Sequence, residues 1–298
     1  MKQEYFFRAW RAVRSSDAWL GRVCLLALVS LIPVFGPVVV SGYLLGWARD
    51  AAWGMDNPMP KHIFGNEDGS LYRRGFFALV VGIAMVFTVF AGVFVLMSLV
   101  GLAAGLFATL FDGSRYAGLL AFPALFGSFG VFAASVVAVF AVQFFVWVAL
   151  MRMSIYDTLS SAFQLGHVWC MIRRDPVGLL KIFFCGLLAT LVVGAVMSVV
   201  WFVVLFLGMI VAMGVSGFAD YSGISALGLG GVAVLGLVAA LLFALAVAYV
   251  SVVCGVMVQT LVYRSLGYWT AQFDVARWGS QDDPLPLPYS QQAGDYGL

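Results

Sequence analysis

Four long runs without a charged residue are the feature that most limits how this 298-residue chain can fold. They cover residues 75–111, 116–151, 182–219 and 221–263. A membrane-spanning helix needs about 20 apolar residues, so each run holds one helix with several turns to spare and is too short for two. Backbone polar groups in lipid must bond within their own segment, so the runs are predicted to be helices rather than strands.

The overall composition excludes several classes of protein. Hydrophobic residues make up 63% of the chain and charged residues only 10%, whereas a soluble domain has about a quarter charged residues. A soluble enzyme, a secreted disulfide scaffold and a disordered regulator are therefore excluded. The net charge of +2 is too small to indicate a basic surface for binding nucleic acid. The high hydrophobic content predicts membrane lipid as the surroundings of the chain.

A fifth apolar run, residues 23–48, is interrupted by Pro33-Val34-Phe35-Gly36-Pro37. It is either one kinked helix or two short helices, over residues 18–32 and 37–53, that meet at this break. Proline removes a backbone donor and clashes with the preceding helical turn, and two prolines around a glycine are typical of a turn.

The distribution of positive charge favours the second arrangement. If the first run crosses the membrane once, the 16 Lys and Arg residues divide into 10 and 6 between the two sides. If it returns to the side that it left, 15 lie on one side and Arg115 alone lies on the other. Because Lys and Arg concentrate in cytoplasmic loops, we predict that the first run doubles back and that both termini are cytoplasmic.

The predicted fold is an all-α integral membrane protein with six membrane segments arranged as three helical hairpins. The first hairpin is short or re-entrant, and the two long ones turn on the outer side at residues 112–115 and 220–225. A single membrane domain is expected over residues 1–278, followed by a disordered, proline-containing tail over 279–298. Its parts are an interfacial helix (1–16), a broken short hairpin (18–53), a cytoplasmic loop (54–74), a long hairpin (75–151), a second interfacial helix (152–175) and a second long hairpin (176–264).

The two interfacial segments have the same plan, in which an amphipathic helix leads into a capped membrane helix. In the first, Phe6, Ala9, Trp10 and Val13 share a face, and Ser16-Asp17 is a candidate cap. In the second, Asp175 and Pro176 are predicted to be the N-cap and first residue of the next helix.

The first hairpin and the loop after it contain a distinctive set of residues: Ile32, Pro33, Val34, Phe35, Gly36, Pro37, Gly42, Tyr43, Arg49, Pro58, Met59, Pro60 and Gly75. This set resembles the pattern of a prokaryotic membrane family, the domain of unknown function 4013. The resemblance covers most of the chain, and its motif is confined to residues 18–75. Met59 stands where the family usually has leucine, and the polar insert at 61–74 is longer than the family pattern. The family has no assigned activity, so the resemblance implies a bacterial or archaeal plasma-membrane protein and no chemistry.

The apolar runs lack the ionisable side chains that chemistry inside a membrane would need. The four long runs contain no Asp, Glu, Lys, Arg or His, although a proton relay or an intramembrane metal site would need them. Gln143 and Gln259 are the strongest polar side chains in these runs, and we expect them to bond between helices. His62 and His167 have no neighbour at metal-ligand spacing. The sequence therefore predicts no catalytic, cofactor-binding or metal-binding residue, and no enzyme.

Two functions remain after these exclusions. The first is a structural, assembly or transport-accessory protein that acts through its cytoplasmic helices and the loop at 49–74, with a membrane-protein partner or a second copy of itself. The second is a transporter or channel for a hydrophobic or lipid-like substrate held between the two long hairpins.

Overall fold

A computed structural model describes residues 4–64, 69–110, 121–221 and 226–286 of the chain. Every regular element in these ranges is helical, as the apolar runs predict. Two short 3₁₀ turns, Ser160–Ala162 and Val275–Arg277, lie among the α-helices. The α-helices are α1 (Tyr5–Arg14), α2 (Trp19–Ser30), α3 (Phe35–Ala52), α4 (Leu71–Leu110), α5 (Ala121–Tyr156), α6 (Leu165–Arg174), α7 (Pro176–Tyr221) and α8 (Ala226–Ala271).

Helices α4, α5, α7 and α8 are long and apolar enough to cross a membrane. They have 40, 36, 46 and 46 residues. At a rise of 1.5 Å per residue, their lengths are about 54–69 Å. Each helix is therefore much longer than the thickness of a hydrocarbon core, which is about 30 Å. At most 11% of the most apolar window of each helix is buried inside the protein. Lipid tails are as apolar as these side chains, so this exposure is stable in a membrane.

The long helices pack as two pairs, α4 with α5 and α7 with α8. The predicted outer turn at 112–115 lies outside the described residues, and so does most of the predicted turn at 220–225. Helices α2 and α3, with 12 and 18 residues, form the shorter broken segment that precedes them.

The break between α2 and α3 is a γ-turn. Val34 has a φ of 65°, and the Phe35 N–H donates to the Pro33 carbonyl oxygen at 2.7 Å. Positive φ is costly for a β-branched residue, by about 1–3 kcal/mol. Pro37 lies in the first turn of α3, where its missing N–H has no helical acceptor to lose.

Helix α3 lies at the centre of the fold, against α2, α4, α5 and α8. Close approach to α4 depends on a pair of glycines: a Cβ on Gly42 would meet the carbonyl oxygen of Leu71, and one on Gly75 would meet that of Val38. Glycine at such a crossing allows two helix backbones to touch, which explains why these positions of the family motif contain no side chain.

The interfacial segments differ in part from the prediction. Helix α1 buries Ala9 and Val13 of its predicted apolar face, whereas Trp10 of the same face is 39% exposed. The second segment is not one helix over 152–175, because α5 continues to Tyr156 and stops at Asp157, which has a φ of 52°. Only α6 remains of the predicted second helix.

Two further expectations also differ from the structure. Ser16 does not cap α2; its hydroxyl instead accepts the Met59 N–H at 2.8 Å, and the residue before α2, Ala18, makes no side-chain cap. The tail was expected to be disordered from residue 279, yet residues 279–286 bond to α5, α6 and the segment between them. The remainder of the tail, residues 287–298, lies outside the described residues.

Candidate functional site

Three arginines are buried where the apolar runs end. Arg152 and Arg264 are fully buried, and Arg74 is 3% exposed. They lie near the end of α5, near the end of α8 and near the start of α4. We call this end of the bundle, together with residues 53–60 and 274–286, the polar base.

Arg264 binds the main chain at the end of α3. Its Nη1 donates to the Trp47 carbonyl oxygen, and its Nη2 donates to the carbonyl oxygens of Met55 and Asn57 at 3.2 and 3.1 Å. The guanidinium also lies 4.4 Å from the centre of the Trp47 ring. The same cation therefore joins α8 both to α3 and to the segment that follows α3.

Residues 55–60 are tied to the first hairpin by side-chain bonds to the backbone. The Tyr43 hydroxyl donates to the Pro60 carbonyl oxygen at 2.8 Å, and Trp47 Nε1 donates to that of Asn57 at 3.0 Å. Arg22, near the start of α2, donates to the Met59 carbonyl oxygen. The chain therefore leaves this end of the bundle along α2 and returns to it along α3.

Asp56 joins α1 to the polar base. It accepts a hydrogen bond from Arg8 at 2.6 Å, and the Arg8 guanidinium lies 4.2 Å from the centre of the Tyr268 ring. Partial burial alone would raise the pKa of Asp56, but hydrogen bonds from Arg8 and Tyr268 and the nearby positive charges lower it overall. The carboxylate is thus ionised at neutral pH.

Asp157 links α3, α4 and α5. It accepts from Arg74 Nε at 3.1 Å and lies 3.4 Å from Arg49 Nη1. The left-handed backbone of Asp157 ends α5 and turns its carboxylate towards the two arginines. Arg49, a residue of the family motif, therefore contributes to a three-helix junction.

Arg152 is bonded less completely. Its Nη2 donates to Gln164 Oε1 at 2.9 Å and to the Gln281 carbonyl oxygen at 3.2 Å. Across the part of the chain that the structure describes, its Nε and Nη1 are buried without an acceptor. The rings of Tyr156 and Trp278 lie 5.3 and 5.7 Å from the guanidinium carbon.

Asp175 connects the start of α7 to the end of α8. Its Oδ1 accepts the Gly178 N–H at 2.9 Å, which is the predicted N-cap bond, and Pro176 is the first residue of α7. Its Oδ2 accepts from Trp269 Nε1 at 3.1 Å and from Gln272 Nε2 at 2.9 Å.

A cavity of about 370 Å³ lies between α5, α7 and α8, on the membrane side of the polar base. Gln143 and Gln259 both line it, together with Thr190 and Tyr263. Gln259 bonds to Tyr263 on its own helix, so the expected bond between helices is not seen for this residue. The two strongest polar side chains of the apolar runs thus share one lipid-level cavity.

Most of the predicted motif residues meet at the polar base or at the break. The break contains Pro33, Gly36 and Pro37; the contact between α3 and α4 contains Gly42 and Gly75; Tyr43 bonds to Pro60, and Arg49 pairs with Asp157. Asp175 and Pro176 lie apart from these residues, at the start of α7.

Sequence reasoning missed the buried arginines and Asp157. The available signal was position, because Arg152 and Arg264 each follow directly on the last residue of an uncharged run. Among the described residues, no three His, Cys, Asp or Glu side chains lie close enough together to hold a metal ion.

A family model described as protein of unknown function (DUF4013) matches residues 25–205, more than half of the chain. No curated protein and no solved structure matches the chain. The matched segment begins in α2 and ends in α7, so it includes the break, the motif residues and the Asp157 junction.

Proposed function

The chain belongs to the DUF4013 family, whose description assigns no activity, and from its geometry we propose that it assists or assembles another membrane protein through its polar base. The observation behind this proposal is the concentration at one end of the bundle of the bonds that join distant segments. These bonds join α1 to the segment after α3, α3 to α8, and both α3 and α4 to the end of α5. A rigid surface of this kind is suited to docking rather than to chemistry.

Exposed aromatic side chains on this surface support the proposal. Phe7 of α1 is 66% exposed and Trp169 of α6 is 51% exposed. Arg8 follows Phe7 directly, and Arg173 lies one helical turn after Trp169. Aromatic residues and arginine are enriched at the centres of protein interfaces. The proposed partner is another membrane protein or a second copy of this chain.

The test is purification of the full chain from its native membrane in mild detergent. A companion membrane protein in fixed ratio is expected with the wild type and lost with the double variant Phe7→Ser, Trp169→Ser. The matched control is Phe202→Ser, because Phe202 is 69% exposed on the lipid-facing part of α7. A chain that purifies as a monomer without a companion, or an association that all variants retain, would refute the proposal.

The same proposal places the protein in the plasma membrane of a prokaryote as three hairpins, the first re-entrant, with both termini cytoplasmic. The contact between α1 and the end of α8, where Tyr5 Oη donates to Gln272 Oε1 at 3.2 Å, supports a common side for both chain ends. The excess of positive charge on that side supports its assignment to the cytoplasm.

A second function, transport of a hydrophobic or lipid-like substrate, is favoured by the cavity between α5, α7 and α8. Its volume lies within the range of roughly 300–1,000 Å³ that is usual for small-molecule sites. Reconstituted protein should then move a labelled lipid between leaflets, and Gln143→Leu should slow this movement. Movement no faster than in protein-free vesicles would remove this candidate.

A further inference from the structure

Arg152 is a buried cation whose surroundings are electrostatically incomplete. It is fully buried, and in the described part of the chain only its Nη2 has acceptors, one amide oxygen and one carbonyl oxygen. Removing a guanidinium from water costs several kcal/mol unless hydrogen bonds or a counter-charge compensate.

The other two buried arginines differ from it in this respect. Arg74 donates to the carboxylate of Asp157, and Arg264 donates to three main-chain carbonyl oxygens. Both are therefore built into the fold with their own acceptors. In the described part of the chain, Arg152 has two nitrogens, Nε and Nη1, whose three N–H groups have no acceptor.

The C-terminal segment 278–286 covers Arg152. The Trp278 ring stacks on that of Tyr156 at 5.8 Å, beside the guanidinium. The Gln281 side-chain oxygen accepts from Thr158 and Ser160 at 2.6 and 2.9 Å. These two bonds are exposed to solvent, and exposed bonds of this kind contribute only about 1 kcal/mol each.

The groups beneath this segment form a set of donors. Arg174 donates to the carbonyl oxygens of Leu285 and Pro286, and the Gln164 amide donates to Asp282 at 2.7 Å. The segment thus presents main-chain carbonyls to Arg152 and Arg174, the Asp282 carboxylate to the Gln164 amide and the Gln281 amide oxygen to two hydroxyls. Guanidinium groups with hydroxyl donors are the usual ligands of a phosphate group.

We propose that Arg152, Thr158, Ser160 and Gln164 form a phosphate-binding site around the position of Gln281, and that residues 278–286, whose far end is held by Arg174, cover it until a phosphate group displaces them. Arg152 follows the last residue of the apolar run at 116–151, so the site lies at the level of lipid headgroups. The phosphate belongs to an anionic lipid or to a free phosphate ion. The site is independent of the docking role proposed above.

The experiment uses the full chain in nanodiscs and follows amide hydrogen exchange in residues 278–286. One sample contains digalactosyldiacylglycerol alone, which has no phosphate, in a phosphate-free buffer. A second adds phosphatidylglycerol, and a third adds inorganic phosphate to the first. Exchange should become about tenfold faster with the ligand, because loss of the covering bonds shifts the local opening equilibrium by that order.

Two variants and one control make the result specific. Arg152→Gln should abolish the acceleration, whereas Arg173→Gln, which removes an exposed cation from the same surface, should leave it. Gln281→Ala should lower the amount of ligand needed, and this variant keeps the test valid if Arg152→Gln does not fold.

Acceleration by phosphatidylglycerol alone identifies a lipid headgroup as the ligand, and acceleration by both additions shows that the free ion is sufficient. Absence of acceleration with either addition would overturn the proposal. Equal acceleration in the Arg152→Gln variant, or an unchanged requirement for ligand in the Gln281→Ala variant, would do the same.

Discussion

The Arg264 guanidinium donates a hydrogen bond to the main-chain carbonyl oxygen of Trp47, 217 positions earlier in the chain, and lies over the indole of the same residue. This contact joins the end of the last long helix to the end of α3. It also positions residues 55–57, whose carbonyl oxygens accept from the same side chain.

Replacing Arg264 with Gln should destabilise the protein by about 3 kcal/mol, because three main-chain carbonyls, the buried one of Trp47 among them, lose their charged donor. Arg264→Lys should retain only part of the stability, since an ammonium group cannot reproduce the planar arrangement of N–H donors in a guanidinium. Chemical unfolding in detergent would measure both effects. Arg11→Gln, on the exposed face of α1, is the control, and an equal loss for Arg11 and Arg264 would contradict the assigned role.

Two glycines of α4 should respond in opposite ways to the same substitution. Gly75→Ala places a methyl group against the Val38 carbonyl oxygen and should cost about 1–3 kcal/mol. The methyl group added by Gly82→Ala would have no neighbouring atom within 4 Å. This substitution should leave the stability unchanged or increase it by up to about 1 kcal/mol. Thermal unfolding of the two variants provides the comparison, and similar midpoints would argue against close contact of α3 and α4.

Val34→Gly should stabilise the break, by up to about 1 kcal/mol, because glycine adopts positive φ without strain. Val34 is 71% exposed, so little packing is lost. The matched substitution Val86→Gly, at an exposed position within α4, should destabilise by about 1 kcal/mol. Chemical unfolding of both variants tests the prediction, and a destabilised Val34→Gly protein would contradict the strained turn.

Asp56 should make the free energy of unfolding depend on pH under acidic conditions. Its pKa in the folded state is lowered below the ordinary value of 3.8, so its contribution is present above that value and is lost as the pH falls through the folded-state pKa. Unfolding measured from pH 6 down to pH 3 should show a decline that is smaller in Asp56→Asn. The difference at neutral pH should stay below about 1 kcal/mol, because the pair with Arg8 is exposed. Identical pH profiles would show that Asp56 does not contribute.

Cysteine labelling should place the loop after α3 and the exposed native Cys170 on the same, inner side. A membrane-impermeant reagent added from outside should label a cysteine at position 114, but neither Cys170 nor a cysteine introduced at the exposed Lys61. Labelling after membrane disruption is the control for reactivity. Outside labelling of position 61 would contradict the re-entrant first hairpin.

Local patterns predicted the helical elements well, since their causes are local. Runs without charge are long enough for the backbone to bond within each helix, and the break at Pro33 to Pro37 follows from the missing N–H and restricted φ of proline. The N-cap at Asp175 could be predicted because the bond joins residues three positions apart.

The buried arginines could not be predicted in the same way. Arg152 and Arg264 follow apolar runs in sequence, where snorkelling into the headgroup region is the simplest expectation. Their burial depends on residues 129 and 217 positions away, the Gln281 carbonyl in one case and that of Trp47 in the other. Nothing local to either arginine identifies these acceptors.

The amino-acid sequence alone determined that this is a helical membrane protein, where its apolar helices lie and that its chain breaks near Val34, because these properties depend on hydrophobicity and on the backbone of neighbouring residues. Only the tertiary structure decided which cations are buried, what accepts their hydrogen bonds and that Gln143 and Gln259 share a cavity. Those properties depend on which distant segments meet, and the sequence pattern carries no record of that pairing.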